Sequence, residues 1–600
     1  MYIRKVTHRN KKNHQEYFTF KLVESVRTEQ GPRQQELLNL GTDFNLPVEE
    51  WKDLTLCIKE IMTGQQSILT YTPVVETLAI SFARKIIRKQ SSVVPEGQSL
   101  PDYHTVDINS VENEDVRSVG AEHVVYETMK ELELDKKMEE LMFSKVEIDT
   151  AFGVITGKLI NPSSERKTHK WLKDISAIDE LMDTDFNTLS HYRVYKVSDT
   201  LLKNKEAIEN HLRLQECNLF GLEEKIILYD LTNTFFEGTG KYNKKARNAR
   251  SKEKRSDCPL ITLGLVLDAQ GFAEASNIFD GNISEPSTLE TMIKKLAGEE
   301  DFIKPTIVLD AGIATRDNIK WLKENEYFYL VVSRKKKREI PPGVQMVPIK
   351  TRNTPVQAGI LNNEETDEIE LYCHSEGKEK KEEQIKTFFQ ERFEEELKKV
   401  NISLSKKNGI KRLDKVIERI GRLKERFKRV AYHYDVSIKK DLETNKAVDI
   451  SWHLKDREKT EGVYVLRTNR KELKEEQIWN IHNMLTDIED AFRCMKSELG
   501  LRPIYHKKEE RGDGHIFITV LAYHILHFVR MKLRQNEIYL SWSTIRERLS
   551  THARITTTFK RKDGKMVHIR KSSTANLFHK KIYSALNISC QPGKTLKTIL

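Results

Sequence analysis

The chain has 600 residues, 38% of them hydrophobic and 32% charged, the balance of a charged globular protein and outside the weakly hydrophobic regime of disorder. Its 101 Lys and Arg exceed its 90 Asp and Glu, a formal charge of +11, which favours a polyanionic partner. Six cysteines, at 57, 217, 258, 373, 494 and 590, include no CxxC pair, which argues against a zinc site and a disulfide framework and fits a reducing compartment.

The N-terminus, Met1-Tyr2-Ile3-Arg4-Lys5, lacks the apolar core of a signal peptide, so a cytoplasmic location is expected. No apolar run reaches the ~18 residues of a membrane span; the strongest, His515 to Val529, carries histidines and is too short, so no membrane partner is expected. A chain of this length exceeds one ordinary core and implies roughly three or four domains or subdomains.

In chain order, Glu16 to Arg27 partly alternates and Gly31-Pro32 supplies a turn, which predicts a β-hairpin or meander. Helical periodicity follows over Val48 to Met62 and Val74 to Ile87. Residues 89–109, rich in Ser, Pro and Gly, read as a linker or exposed loop. Helical spacing returns from Glu122 to Met142. Asn161-Pro162-Ser163-Ser164-Glu165 reads as a turn into a helix with Pro at its first position. Further helices fill residues 168–216, and a mostly helical, basic region of this kind is a candidate DNA-binding portion.

Ile226 to Tyr229 is then an apolar run without helical spacing, which predicts a strand buried on both faces. It ends on Asp230. A carboxylate there either turns the chain or projects from a rigid mount at the sheet edge. Eighty residues on, Thr306 to Leu309 followed by Asp310-Ala311-Gly312 repeats the pattern. Between them, Pro259 to Asp268 and Phe272 to Phe279 read as strands and Ser287 to Ala297 as a helix; Thr315 to Asn325 is a helix and Tyr327 to Val332 a strand. The order β-β-β-α-β-α-β is that of an α/β ribonuclease-H-like fold, in which the first and fourth strands lie side by side and bring Asp230 next to Asp310.

From Ser333 to about Asn480 an insertion intervenes, with charged helices (Glu376 to Lys399, Arg412 to Tyr432) and strand-like pieces (Ile369 to Cys373, Val448 to Leu454, Gly462 to Leu466). In the helical stretch Asp487 to Leu499, Glu489, Arg493 and Lys496 stand at i, i+4 and i+7 and share a face, while Ile488, Phe492, Met495 and Leu499 line the neighbouring, core side. Alone this is a surface ion-pair ladder; after two Asp-terminated strands it reads as the third carboxylate of the fold.

These stretches are YDLTNTFFEG (229–238), SKEKRSDCPLITLGLVLDAQGF (251–272), FDGNISE (279–285), VLDAGIATRDN (308–318), GVYVLRTN (462–469) and IEDAFRCMKSELGLRPIYH (488–506), with GKLINPSSERKTHKWL (157–172) upstream. Together they resemble a bacterial insertion-sequence transposase of the DDE class. The branch resembled has a ribonuclease-H-like core with a large insertion between the second Asp and the Glu. The resemblance covers nearly the whole chain. It implies that Asp230, Asp310 and Glu489 are the catalytic and metal-binding triad and that Lys496 is the lysine following the glutamate. Many relatives carry Tyr seven and Arg four residues before that glutamate, facing DNA phosphates; here these are His482 and Leu485. His482 retains a hydrogen-bonding ring and Leu485 does not.

The expected organisation is an N-terminal DNA-binding region (1–215), a first core part with both Asp (222–335), an insertion domain (336–478), a second core part with the Glu helix (479–540) and a basic C-terminal region (541–600). The core is expected as a mixed five-stranded sheet with flanking helices. Three carboxylates can hold two Mg²⁺, or Mn²⁺ as substitute, about 3.5–4 Å apart, and hard oxygen ligands disfavour zinc. One site can then hydrolyse DNA at the element's end and use the freed 3′-OH to attack target DNA, with no covalent enzyme intermediate. Arg493, Lys496, His482, Lys252 and Arg255 are the candidate DNA contacts; Glu237 and Asp268 are read as solvated or structural. Trp452 is read as a core residue rather than a holder of an unstacked base. The expected partners are double-stranded DNA, as terminal inverted repeats and target, and a second copy of the chain, at the nucleoid. Two other readings remain at this level: a ribonuclease-H-like nuclease that cuts without joining, and a DNA-binding derivative without catalysis.

Overall fold

The computed structural model describes all residues except 10–15, 29–30, 43, 66–68, 95–101, 222–225, 250–254, 256, 297–303, 335–338, 352, 442–443 and 456–459. The chain divides into two units, one of residues 1–223, 231–283 and 489–600, the other of residues 224–230 and 284–488. The division falls inside one strand, after Asp230, and inside one helix, before Glu489.

In the first unit the strands Tyr2–Arg9, Glu16–Thr28 and Gly31–Gly41 form an antiparallel sheet. Gly31 and Pro32 begin the third strand rather than turn the chain, facing Thr28 and Arg27. The helices Trp51–Thr63 and Pro73–Gln90 cover the sheet through Leu22, Leu54, Ile58, Ala79 and Ile86. Thr72 caps the second of these and Pro73 opens it, where a missing N–H costs nothing.

The rest of this unit packs on one helix, Glu509–Gln535, buried along most of its length. It is long and apolar enough to cross a membrane by composition, yet its apolar stretch is 83% buried inside the protein, as the core helix of a globular unit is. Its buried histidines are partnered: His524 bonds to the Glu216 carboxylate at 3.0 Å and His527 to the Gln270 carbonyl at 2.9 Å. The helices Lys145–Ile160 and His191–Lys203 lie against it. Beyond Asn161 the next helix begins at Glu165, so Pro162 precedes it instead of opening it. The Glu165 carboxylate lies 2.7 Å from His506 Nε2.

The presumed linker and the basic C-terminal region share a sheet. Ser92–Val94 pairs with Thr595–Ile599, which pairs with Met566–Ser572, then Ala553–Lys560, then Glu112–Ser118. Buried beside it, Glu180 accepts from Arg554 at 2.9 Å and from Arg570 at 2.6 Å, and Asp179 from Arg117 at 2.9 Å. Buried charges of this kind are tolerated only when paired.

In the second unit the sheet order is Val347–Lys350, Val356–Asn363, Glu368–Ser375, Val463–Thr468, Phe328–Val332, Thr306–Leu309 and the Asp230 strand. The Asp230 strand, Ile226–Phe235, continues in the first unit next to Leu260–Asp268, which pairs with Ala273–Asp280. The first and fourth strands of the core are therefore neighbours and parallel, as the ribonuclease-H-like order requires.

The sheet is larger than the expected five strands. Among the described residues, four strands from 336–478 extend it, while Tyr434–Lys440 and Ala447–Leu454 form a two-stranded sheet of their own. The physical reason for the extension is the apolar strand Phe328–Val332, whose Tyr329, Leu330 and Val331 are buried. Left at an edge it would expose unpaired backbone groups; Val463–Thr468 pairs antiparallel with it, Leu330 opposite Thr468. The insertion also has its own apolar cluster, in which the helices Glu376–Ser405 and Leu413–Arg426 and the strand Ala447–Leu454 meet through Phe393, Leu397, Val416, Ile420 and Ile450. Trp452 lies partly buried against this cluster, as a core residue does.

Candidate active site

Ile226 to Tyr229 and Thr306 to Leu309 are buried on both faces and pair in parallel register, Tyr229 opposite Leu309. Asp230 and Asp310 are each the next residue. Backbone hydrogen bonding thus brings the two carboxylates to the same end of adjacent strands, which lie about 4.8 Å apart in any sheet. Asp230 is partly exposed and Asp310 exposed.

A third carboxylate of this unit, missed in the sequence reading, stands beside them. A Cβ placed on Gly312 would lie 2.9 Å from Glu285 Oε2 and 3.8 Å from Asp310 Oδ2. Glu285 and Asp310 thus approach the same point beside Gly312. Tyr229 reports the same crowding from below. Burial, together with the negative charges of Asp230 and Glu285, pushes its phenol well above the ordinary tyrosine range. The hydroxyl bonds to Thr288 Oγ1 at 2.6 Å, and Thr288 in turn donates to the Glu285 carbonyl at 2.6 Å.

Side-chain hydrogen bonds fix the loop after Asp310. Asn318 Nδ2 donates to the Pro286 carbonyl at 2.9 Å and the Ile313 carbonyl at 2.8 Å, tying the Glu285 turn to the Asp310 loop. Arg334 donates to the Ala311 carbonyl and, at 2.5 Å, to the Gly312 carbonyl. Beside this loop opens a cleft of about 810 Å³ whose walls include Arg316, Lys320, Lys323, Arg334 and Arg467 against Glu324, Glu365 and Glu368. The excess is basic, although Lys323 and Arg467 already pair with Glu368 at 2.8 and 2.6 Å.

His482, on the helix Glu475–Asn483, belongs to this unit. Burial pushes its pKa down to about 4, opposed by the negative charge of Asp310 and aided by Lys378. The ring is neutral at pH 7, its Nδ1 is buried with no hydrogen-bond partner among the described residues, and it leans on Tyr464 with centroids 5.8 Å apart.

Glu489 is carried by the helix Leu485–Ser497 and is exposed. Ile488, Ala491, Phe492 and Met495 form the buried face. Beyond the helix end Leu499 and Leu501 are fully buried, and Ile504 donates to the Phe235 carbonyl at 2.9 Å while Glu237 donates to the Ile504 carbonyl at 2.8 Å. Arg493 pairs with Asp490, both largely exposed, so this part of the helix does carry a surface ion pair, formed with Asp490 and not with Glu489. Lys496 is partly exposed.

Of the remaining candidates, Arg255 donates two hydrogen bonds to the Asp257 carboxylate, both 2.8 Å, with its guanidinium 4.7 Å from the Phe235 ring centroid. Ser251 and Lys252 lie outside the described residues. Glu237 is exposed. Asp268 is a turn cap, accepting from the Gln270 and Phe272 amides at 2.8 Å; burial raises its pKa to about 6.

Oxygen donors at adjacent strand ends, with a third carboxylate close by, suit a hard divalent cation. The model of the transposase DDE domain matches residues 222–525, just over half of the chain, and spans both Asp-terminated strands and the glutamate helix. The chain belongs to the DDE transposase family. A DDE transposase is a DNA-cleaving and DNA-joining enzyme that depends on divalent cations, and its partner is DNA. Comparison with curated proteins finds no match. Among solved structures, a piggyBac transposase synaptic complex with hairpin DNA is similar at 10% identity, with a TM-score of 0.32, over 72% of this chain and 76% of that one. The family assignment rests on the domain match.

Proposed function

We propose that this transposase cuts the ends of its own mobile element, an insertion sequence of a bacterial host, and joins the freed 3′-OH ends to target DNA, with Asp230, Asp310 and Glu489 as its catalytic carboxylates. The observation that carries the reading is the register of Tyr229 opposite Leu309, after which each of two adjacent parallel strands continues into an aspartate. Two Mg²⁺ ions, with Mn²⁺ as substitute, are the ligands proposed for the three carboxylates; when bound they supply Lewis acidity at the reacting phosphate. Glu285 is assigned a supporting role, as a further negative charge that holds cations at the Asp pair.

The chain's own residues contribute positioning. Lys496 is proposed to hold a DNA phosphate near Glu489 as a point charge, with Arg493 and Arg255 exchanging their intramolecular carboxylates for phosphates, and Lys252 acting likewise. His482, its ring held neutral by burial, is proposed to contact DNA by a hydrogen bond and not as a charge. The basic cleft beside Asp310 gives the backbone a second place to lie. A homodimer working in the cytoplasm at the nucleoid completes the proposal, since two ends must be cut and joined together; no membrane is involved.

The test is strand cleavage and joining of a linear DNA carrying the element's ends, with Mg²⁺, Mn²⁺, Ca²⁺ or EDTA. Cutting and joining are expected with Mg²⁺ and Mn²⁺, and assembly without turnover with Ca²⁺. Cutting without joining would favour a nuclease, and full activity in EDTA would remove the metal from the reading.

A further inference from the structure

The cysteine spacing argues against a thiolate zinc site, but the fold assembles a different donor set within the first unit. Glu165, His506 and His515 come from the start of one helix, from the connector after the glutamate helix and from the buried helix Glu509–Gln535. Their ligand atoms all lie within 4.8 Å of one another. His506 Nε2 is 2.7 Å from Glu165 Oε1, and both side chains are mostly buried, at 12% and 16% exposure. Two ligands about 2.1 Å from a common ion stand at most about 4.2 Å apart, so small side-chain shifts bring all three to metal distance.

A second observation points to an occupant. A small cavity of about 20 Å³ adjoins the cluster, lined by Lys158, Ser163, Glu165, Thr168 and His515 and by three apolar side chains. That volume suits a single water or ion and nothing larger. One wall is a cation: Lys158 Nζ lies 3.3 Å from His515 Nε2 and 3.0 Å from the Gly500 carbonyl. The Leu501 carbonyl, 3.3 Å from His515 Nε2, accepts a hydrogen bond from that nitrogen in the neutral ring, which leaves the lone pair on Nδ1, 3.4 Å from Lys158 Nζ.

We infer that Glu165, His506 and His515 form a binding site for one transition-metal ion of the zinc type, separate from the catalytic carboxylates and structural in role. Two imidazoles and a carboxylate favour zinc over magnesium, which prefers an all-oxygen shell. Bound there, the ion ties the connector Gly500–Lys508 to two helices. This connector is the segment that fixes the end of the glutamate helix, through Leu501 and through Ile504 on Phe235. Lys158 neighbours the site as a competing cation.

The test uses the full chain, stripped with a chelator and then dialysed against Zn²⁺ or Co²⁺ in the presence of millimolar Mg²⁺. Wild type is expected to retain about one Zn²⁺ per chain and to show the visible absorption of Co²⁺ in a low-symmetry nitrogen–oxygen site. Glu165→Gln and His515→Ala should each weaken retention at least tenfold and abolish the Co²⁺ band. Asp230→Ala should retain metal as wild type does, which separates this site from the catalytic one. His506→Gln, chosen for its similar shape, guards against misfolding; it should lose the band while keeping the wild-type circular dichroism of the metal-free chain. The inference is overturned if wild type retains no Zn²⁺, or if the variants retain as much as wild type. It is overturned equally if only Lys158→Met binds metal, because the ammonium would then be the site's own occupant.

Discussion

The two Asp-terminated strands and the glutamate helix place acidic side chains by different physics. Asp230 and Asp310 are held by backbone register: once Tyr229 faces Leu309, both residues are positioned whatever the side chains do. Glu489 is held by an apolar face, through Ile488, Phe492 and Met495 on one side of its helix and Leu499 after it. A strand end is stiff, and its error is a whole-residue slip that would reverse every face. A helix face can rotate or shift by fractions of a residue, so its acid depends on packing that lies some distance off.

The largest effect tests whether the two mounts serve one function. Asp230→Ala, Asp310→Ala and Glu489→Ala should each lower cleavage by roughly a thousandfold or more while end binding stays near wild type, because affinity resides in phosphate contacts. Gel-shift and cleavage assays on the same preparations check this. Substantial cutting by the Glu489 variant alone would confine catalysis to the strand-mounted pair.

Next in size is Leu499→Ala, which removes a fully buried side chain and should cost about 2–5 kcal/mol of stability. Chemical denaturation measures it. The same change should lower cleavage through loss of folded protein, with no change in metal requirement.

Acidification separates the regions further. In the first unit His123 is held down to about 4, His527 to about 3 and His568 to about 4, in each case chiefly by burial. Their folded pKa values lie below the unfolded value near 6.5, so they contribute stability above pH 6.5 that is lost as pH falls toward 4. Each group contributes about 1.4 kcal/mol per pH unit in that window. Thermal melts between pH 7 and 5 should show a steep loss, lessened in His527→Gln.

Lys496→Ala should reduce cleavage and joining about 10–100-fold at an unchanged melting temperature, the opposite signature to Leu499→Ala. Equal rates to wild type would make the Glu489 face a plain surface. The smallest expected effect is Glu285→Gln, about a tenfold rise in the Mg²⁺ concentration needed for half-maximal cleavage, read from a metal titration.

The existence of both strands was legible in the sequence from their apolar runs, but the aspartate marks the end of only the second, Thr306–Leu309. The first runs on to Phe235, since Leu231, Thr232 and Thr234 continue the burial past the aspartate. Glu285 was not legible: it sits in a short 3-10 turn, and only the Gly312 approach and the Tyr229–Thr288 bond bring it to Asp310. The periodicity of the glutamate helix is legible in the sequence; which acid Arg493 pairs with is not, because i−3 and i−4 acids are equally reachable on a helix. Strands in 336–478 were seen, yet their union with the core sheet depends on pairings between residues as distant as Leu330 and Thr468, which no local pattern encodes. The Glu165–His506–His515 cluster was hidden for the same reason.

The sheet shared by the two ends of the chain sets a timetable for synthesis. Ser118 pairs with Ala553, 435 residues later (553 − 118). At a translation rate of about 5–20 residues per second, the strand Glu112–Ser118 leaves the ribosome roughly 20–90 seconds before its partner exists. Through that interval it is an open template for any other nascent strand. Its sequence, Glu112-Asn113-Glu114-Asp115-Val116-Arg117-Ser118, places charges at four of seven positions, which blunts such pairing. The strand is built to wait.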